Sequence, residues 1–282
     1  MSIKLINTAL LCLFFVLTEV QAQEPVSPNG KSATINGLKI YYEETGKGMP
    51  VILLHHYFAT ASLWKTYVPQ LAKKYRVIAL DLPGHGRSDY MDTTEVFLHK
   101  KAAEHIIGLI DHLKIDSAYV IGASSGGTIT LNLATLRPGL VKKAVVIGGH
   151  IYFPKEQREM VSKMNITPEM SRISSHGKEK AALLKKQFIN FTQFYGDPAF
   201  TPDILSTIRA KTLIIHGDND QFAPISNAFG MYENIPGSYL WIVPNGGHFP
   251  FPPYLDPKNE SDFIKRTMEF LNGEWDKKPG AN

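Results

Sequence analysis

Residues 118–127 run Ala118-Tyr119-Val120-Ile121-Gly122-Ala123-Ser124-Ser125-Gly126-Gly127. A short apolar run leads into a serine framed by glycines, and a stretch of helical spacing, Gly126–Leu136, follows at once. This is a G-x-S-x-G motif in the context that gives it meaning, after a strand and before a helix. A serine on such a turn has a strained backbone, so the residues at Gly122 and Gly126 must be small for the chain to close around it. Its hydroxyl then stands above the strand ends, and the helix N-terminus favours negative charge beside it. Moved by one, the pattern small-x-Ser-x-small also fits Ser125. Ser124 is preferred because glycine flanks it at both required positions, which leaves Ser125 to offer its backbone N–H to an oxyanion.

Outward from this turn, compact apolar runs alternate with helical patterns. Val51–His55, Arg76–Leu80, Ala118–Ile121, Lys143–Ile147, Thr212–His216 and Tyr239–Val243 read as strands covered on both faces. Leu63–Lys73, Glu95–Leu113, Gly126–Leu136, Ile225–Asn234 and Lys258–Leu271 have helical spacing. Ahead of them Ala33–Tyr42, broken by Asn36-Gly37, reads as a hairpin. The order predicts an α/β fold with a mostly parallel sheet and helices on both faces. From about Ile151 to Ile208 helical patterns continue with no convincing strand, so 151–208 is expected to be a small helical cap. It is inserted in a core formed by 33–150 and 209–282.

A serine hydroxyl needs a base, and the base needs a third group to fix its tautomer. Of ten histidines, His248 lies in Asn245-Gly246-Gly247-His248-Phe249, between the last strand and the last helix, at the same edge as the serine turn. His99, His105 and His112 fall on a helix, His176 falls in the insertion, and His216 ends a strand as a core residue. The acid is expected after the preceding strand, where Gly217-Asp218-Asn219-Asp220 offers two carboxylates. One orients the histidine and the other serves as a turn residue.

The 282 residues are 44% hydrophobic and include 15 Phe, 12 Tyr and 3 Trp, enough to build a core and exclude disorder as the main state. Net charge is +4 without long basic runs, which gives a nucleic-acid footprint no support. Residues 1–22 carry Lys4, an apolar stretch Ala9–Leu17 and a small-x-small site ending at Ala22, the pattern of a secretory signal peptide. Cleavage near Ala22 would export the chain to the periplasm or medium without a membrane anchor, and would remove Cys12, its single cysteine. Residues 23–32 then form a flexible lead-in. Metal-ligand spacing, a dinucleotide fingerprint and a phosphate loop are missing, so the expected chemistry needs no cofactor.

Together with Leu54-His55-His56-Tyr57 through Trp64 and Asp81-Leu82-Pro83-Gly84-His85-Gly86-Arg87-Ser88, these motifs resemble the α/β-hydrolase superfamily over nearly all of 33–272. The resemblance points to its capped serine esterase, lactonase or haloperoxidase-like branches. It implies Asp220, rather than Asp218, as the acid, and the backbone N–H of Tyr57 as an oxyanion donor beside that of Ser125. His56 stands where glycine is usual in the family. Capped members roof the site with the insertion. His56, a side chain in place of glycine, and His150 and Tyr152, just past a strand end, are pocket-lining candidates on position; Phe188, Phe191 and Tyr195 at helical spacing are expected to pack the cap onto the core. The implied activity is hydrolysis of a small carboxylic ester or lactone through an acyl-enzyme on Ser124, with Asp220 and His248. The alternatives are a cofactor-free perhydrolase, a carbon–carbon bond hydrolase, and a non-catalytic ligand-binding protein on the same fold.

Overall fold

The computed structural model describes residues 27–91, 96–163, 178–191, 193–251 and 260–276. The signal-peptide reading of 1–22 and residues 23–26 of the lead-in lie outside them. Asn36 and Gly37 take positive φ, 49° and 80°, the demand of a tight hairpin turn between β1 (Gly30–Ile35) and β2 (Leu38–Thr45). The first strand thus begins inside the segment read as a lead-in, since Gly30, Lys31 and Ser32 pair with Glu43, Tyr42 and Tyr41.

Six further strands follow: β3 (Pro50–Leu54), β4 (Arg76–Leu80), β5 (Ala118–Ala123), β6 (Val141–Ile147), β7 (Lys211–Gly217) and β8 (Tyr239–Val243). They form one eight-stranded sheet in the order β1-β2-β4-β3-β5-β6-β7-β8. β1 and β2 are antiparallel additions, and every pairing from β4 to β8 is parallel.

Strand period two sorts the core into two faces. Ile52, Leu54, Val120, Ala144, Val146 and Ile214 face one cluster, shared with Ala102, Ile106 and Leu109 of α2 (His99–His112) and Ile129 and Leu133 of α3 (Ser125–Leu136). Val51, Leu53, Ile121, Val145, Leu213 and Ile215 face the other, with Trp64, Tyr67 and the late helix residues Phe263 and Phe270. The expected helix Leu63–Lys73 is instead a 3₁₀ turn, Ala61–Trp64, and a short α1 (Val68–Leu71). Pro69 has no N–H to continue a helix and sits in the first turn of a new one.

Between β6 and β7 come α4 (Lys155–Ser162), α5 (Lys178–Phe191) and α6 (Pro202–Ser206). The segment is fastened by polar contacts as well as apolar ones. Arg158, buried, donates to the carbonyls of Phe153 (2.7 Å), Phe191 (3.0 Å) and Phe194 (2.6 Å). Lys180 reaches the Gly86 and Ser88 carbonyls of the loop after β4. Phe188 packs on Tyr57 and Phe58, and Phe191 on Phe153. Tyr195 lies beyond the helix end and is 66% exposed, so it does not pack this segment onto the core as its spacing suggested. After β7 come α7 (Ile225–Asn234) and α8 (Glu260–Asn272). No helix among the described residues is long and apolar enough to cross a membrane.

Candidate active site

The parallel strands deliver their following loops to one edge of the sheet, where such folds place ligands. At the end of β5, Ser124 has φ 51° and ψ −115°, a strained conformation for a side-chain-bearing residue. The turn is held by Ser124 N–H on the Ile147 carbonyl (2.7 Å) and by the Thr128 N–H on the Ser124 carbonyl (2.9 Å). Both glycines are required by close approach. A Cβ at Gly122 would come within 2.2 Å of the Gly126 carbonyl oxygen, and one at Gly126 within 2.3 Å of that of Leu54. The second approach seats the first turn of α3, with Ser125, against the end of β3 and the loop that carries Tyr57.

His248, from the loop after β8, has Nε2 2.9 Å from Ser124 Oγ and Nδ1 2.8 Å from Asp220 Oδ2. A carboxylate only accepts, so Nδ1 carries the ring proton and Nε2 accepts the serine O–H. Asp220 also accepts the Phe222 and Ala223 N–H groups on Oδ1, both at 2.8 Å. Burial alone would raise its carboxyl. The His248 charge and hydrogen bond, the Ala223 amide and His216 outweigh it and hold Asp220 below the ordinary carboxylate range. His216 donates Nε2–H to the Ala223 carbonyl (2.7 Å) and lies 3.6 Å from Asp220, a core residue that also braces the acid. Asp218 points into solvent.

Residues 49–172 match the family model described as the alpha/beta hydrolase fold. The chain is 25% identical to the 2-hydroxy-6-oxo-6-(2'-aminophenyl)hexa-2,4-dienoic acid hydrolase of Metapseudomonas resinovorans, over 88% of this chain and 95% of that one. The meta-cleavage product hydrolase CumD of Pseudomonas fluorescens IP01 superposes with a TM-score of 0.70 at 26% identity, covering 86% of this chain and 98% of that one. Est816, an N-acyl homoserine lactone degrading enzyme, superposes at 0.64 with 25% identity, covering 85% and 100%. The chain has the α/β-hydrolase fold.

Around His248 this α/β-hydrolase fold builds a wall of rings. Phe222, Phe249 and His150 lie with ring centroids 5.2, 4.6 and 5.9 Å away, and His56 stacks on Phe249 at 4.3 Å. His56, the departure from the family pattern, turns Nδ1 onto the Tyr57 carbonyl (2.6 Å). His55 donates Nδ1–H to the His56 carbonyl (2.8 Å), while its Nε2 accepts the Leu82 N–H (2.8 Å), which clips this loop to the one after β4. Burial pushes His55 down to about 4, and His56 and His150 down to about 3, so all three stay neutral near pH 7. Tyr57 is buried, and its hydroxyl donates to the Leu184 carbonyl of α5 (3.2 Å). In the Asp81–Ser88 turn, buried Asp81 accepts the Ala61 N–H and the Arg87 backbone and guanidinium.

Tyr152 departs from expectation. It is 40% exposed and its hydroxyl pairs with Ser226 Oγ (2.7 Å), so it does not line the pocket. The sequence reading also set His99 aside as a helix residue, yet His99 Nε2 lies 3.2 Å from Ser125 Oγ and its Nδ1 lies 3.2 Å from Asp197 Oδ1. One local signal was present: Leu98, which precedes α2, supplies no side-chain cap for it. Asp197 comes from the inserted segment to fill that role. Among the described residues no group of three or more His, Cys, Asp or Glu side chains is arranged to hold a metal ion.

Proposed function

We propose that this hydrolase opens an uncharged carboxylic ester or lactone through an acyl-enzyme on Ser124. The observation that carries the reading is the unbroken chain from Ser124 through His248 to Asp220, at 2.9 and 2.8 Å, on a strained turn above the strand ends. Ser124 Oγ attacks the carbonyl carbon while its proton passes to His248 Nε2, and Asp220 steadies the resulting imidazolium. The backbone N–H groups of Tyr57 and Ser125 receive the oxyanion. The intermediate collapses as His248 returns the proton to the leaving alkoxide oxygen. Water, deprotonated by His248, then attacks the acyl carbon and frees the acid and Ser124.

The walls favour a neutral acyl group. His56 and His150 are uncharged, and the groups that act electrostatically on them are histidines and Asp220. The nearby insertion cations Arg158 and Lys180 are engaged by backbone carbonyls. A second reading, carbon–carbon bond hydrolysis of an oxo-dienoate, is favoured by the dienoate hydrolase among the relatives; it would use the same serine on a ketone.

A fluorophosphonate probe tests the nucleophile: label is expected on the native chain and on Ser125→Ala and absent from Ser124→Ala. Label surviving in Ser124→Ala and lost in Ser125→Ala would move the nucleophile by one residue. Side-by-side turnover of 4-nitrophenyl butyrate, γ-butyrolactone and 2-hydroxy-6-oxo-6-phenylhexa-2,4-dienoate then separates the two reactions. Higher kcat/KM on the dienoate would replace the ester reading. We further propose export after cleavage near Ala22, on the strength of the N-terminal sequence, and a mature N-terminus at Gln23 by mass spectrometry is the expected outcome.

A further inference from the structure

Next to the chain on Ser124, a second serine, histidine and aspartate are joined in the same order. Helix α2 begins after Leu98, which offers no side-chain acceptor, and Asp197 takes the vacant capping role from across the fold. Its Oδ2 accepts the His99 N–H, and its Oδ1 accepts His99 Nδ1–H at 3.2 Å. His99 Nε2 then lies 3.2 Å from Ser125 Oγ. Asp197, His99 and Ser125 are all buried, at 6%, 4% and 8% exposure. The His99 ring is surrounded by aromatic carbon, with Phe97 at 5.2 Å and Phe191 at 5.4 Å.

Capping explains Asp197 and Nδ1. It does not explain why the other ring nitrogen is aimed at a hydroxyl in apolar surroundings, where an incompletely used polar group costs free energy. The Asp197 carboxylate can only accept, so Nδ1 holds a proton; in the tautomer with Nε2 bare, that nitrogen accepts and the Ser125 O–H points at His99. The Ser125 oxygen is left with lone pairs to offer, and among the described residues no other group bonds it. This hydroxyl sits one residue from the nucleophile, with Cα atoms about 3.8 Å apart. His99 is also close enough to His150, itself 5.9 Å from His248, to act on it electrostatically. The second chain therefore ends on a hydroxyl adjacent in sequence to the end of the first.

We propose that Ser125, held by His99 and Asp197, is a recognition site for a hydrogen-bond donor on the substrate: a hydroxyl at the second or third carbon of the acyl group whose carbonyl Ser124 attacks. The proposal rests on the acyl-enzyme reading for the identity of that carbonyl. A plain acyl chain leaves the Ser125 lone pairs unused when it displaces water. An oxo or carboxylate group at the same place has no proton to give and meets lone pairs backed by a buried carboxylate. The site thus selects hydroxyacyl compounds over both.

The test reads binding, so that it does not depend on turnover. Ethyl butyrate, ethyl 2-hydroxybutyrate, ethyl 3-hydroxybutyrate and ethyl 3-oxobutyrate are titrated by calorimetry into full-length Ser124→Ala. One hydroxy ester is expected to bind roughly five- to tenfold tighter than butyrate and than the oxo ester, the worth of one neutral hydrogen bond. In Ser124→Ala/Ser125→Ala the four should fall within about twofold of one another, the hydrogen bond being gone. In Ser124→Ala/His99→Phe the Ser125 proton is released from the ring, and the oxo ester should gain on the hydroxy esters. Equal binding of all four esters to Ser124→Ala overturns the proposal, and so does tightest binding of the oxo ester, which would mean that Ser125 donates. The comparison within Ser124→Ala decides the matter even where a double variant does not fold. A hydroxy ester that binds tightly but is not cleaved by the native chain would instead remove the acyl-enzyme reading and leave the recognition site standing.

Discussion

Moderate acid should destabilise this protein, and the buried histidines set the size of the effect. His55, His56 and His150 are buried, and burial lowers them from 6.5 to about 4, about 3 and about 3. In the unfolded chain the same side chains take up protons as pH falls through their ordinary range near 6.5. Between that range and the depressed folded values, the unfolded state binds a proton at each position and the folded state does not. Stability therefore falls with pH, beginning near 6.5 and ending only when the folded protein itself protonates. From about pH 7.5 to about pH 5.5 each of the three contributes a loss of about 1.4 kcal/mol, or about 4 kcal/mol together. His85 and His216, both also lowered by burial, act in the same direction. A typical domain has only about 5–15 kcal/mol in total. Urea unfolding followed by circular dichroism at the two pH values gives the difference directly. The variant His150→Phe should shrink that difference by about 1.4 kcal/mol, whatever it does to stability at a single pH, because one titrating group is gone. A difference below about 1 kcal/mol in the native chain would refute the reasoning, since it would mean that these rings are already protonated in the fold or are not buried.

Asp220→Asn presents an amide to His248 and no longer selects the tautomer with Nδ1 protonated; kcat on a cleaved ester should fall about 10⁴-fold, with KM within about threefold and the unfolding midpoint little changed. Gly126→Ala would place a methyl 2.3 Å from the Leu54 carbonyl oxygen and 2.7 Å from that of His55. It should destabilise the chain by about 1–3 kcal/mol in urea and lower kcat, because the loop bearing Tyr57 must move away from Ser125.

The sheet was legible in the sequence because its central strands are buried on both faces. Runs such as Val51–Leu54 and Val145–Ile147 leave no helical alternative at that length, and each observed strand overlaps a run read from the sequence. The strained turn at Ser124 and the loop position of His248 were legible for a related reason: each restricts which residues can occupy it. Tyr152 and Tyr195 were misread because proximity to a strand end, or spacing in an apolar helix, does not say where a helix stops. Phe191 ends α5, and Tyr195, four residues on, faces water over Arg158.

The second chain, Ser125 to His99 to Asp197, was illegible because its residues are separated by 26 and 98 positions and no local pattern ties them. His99 opens a helix, where a histidine is ordinary, and Asp197 lies in an insertion whose path no periodicity predicts. What joins them is a shortage: the first N–H groups of α2 lack a cap of their own, and the nearest carboxylate in space meets that need. Once Asp197 is bound there, its second oxygen orients His99, and His99 orients Ser125. A backbone requirement of one helix is thereby transmitted to a hydroxyl beside the nucleophile. The segment between β6 and β7 thus acts on Ser125 through an aspartate that touches it only by way of His99.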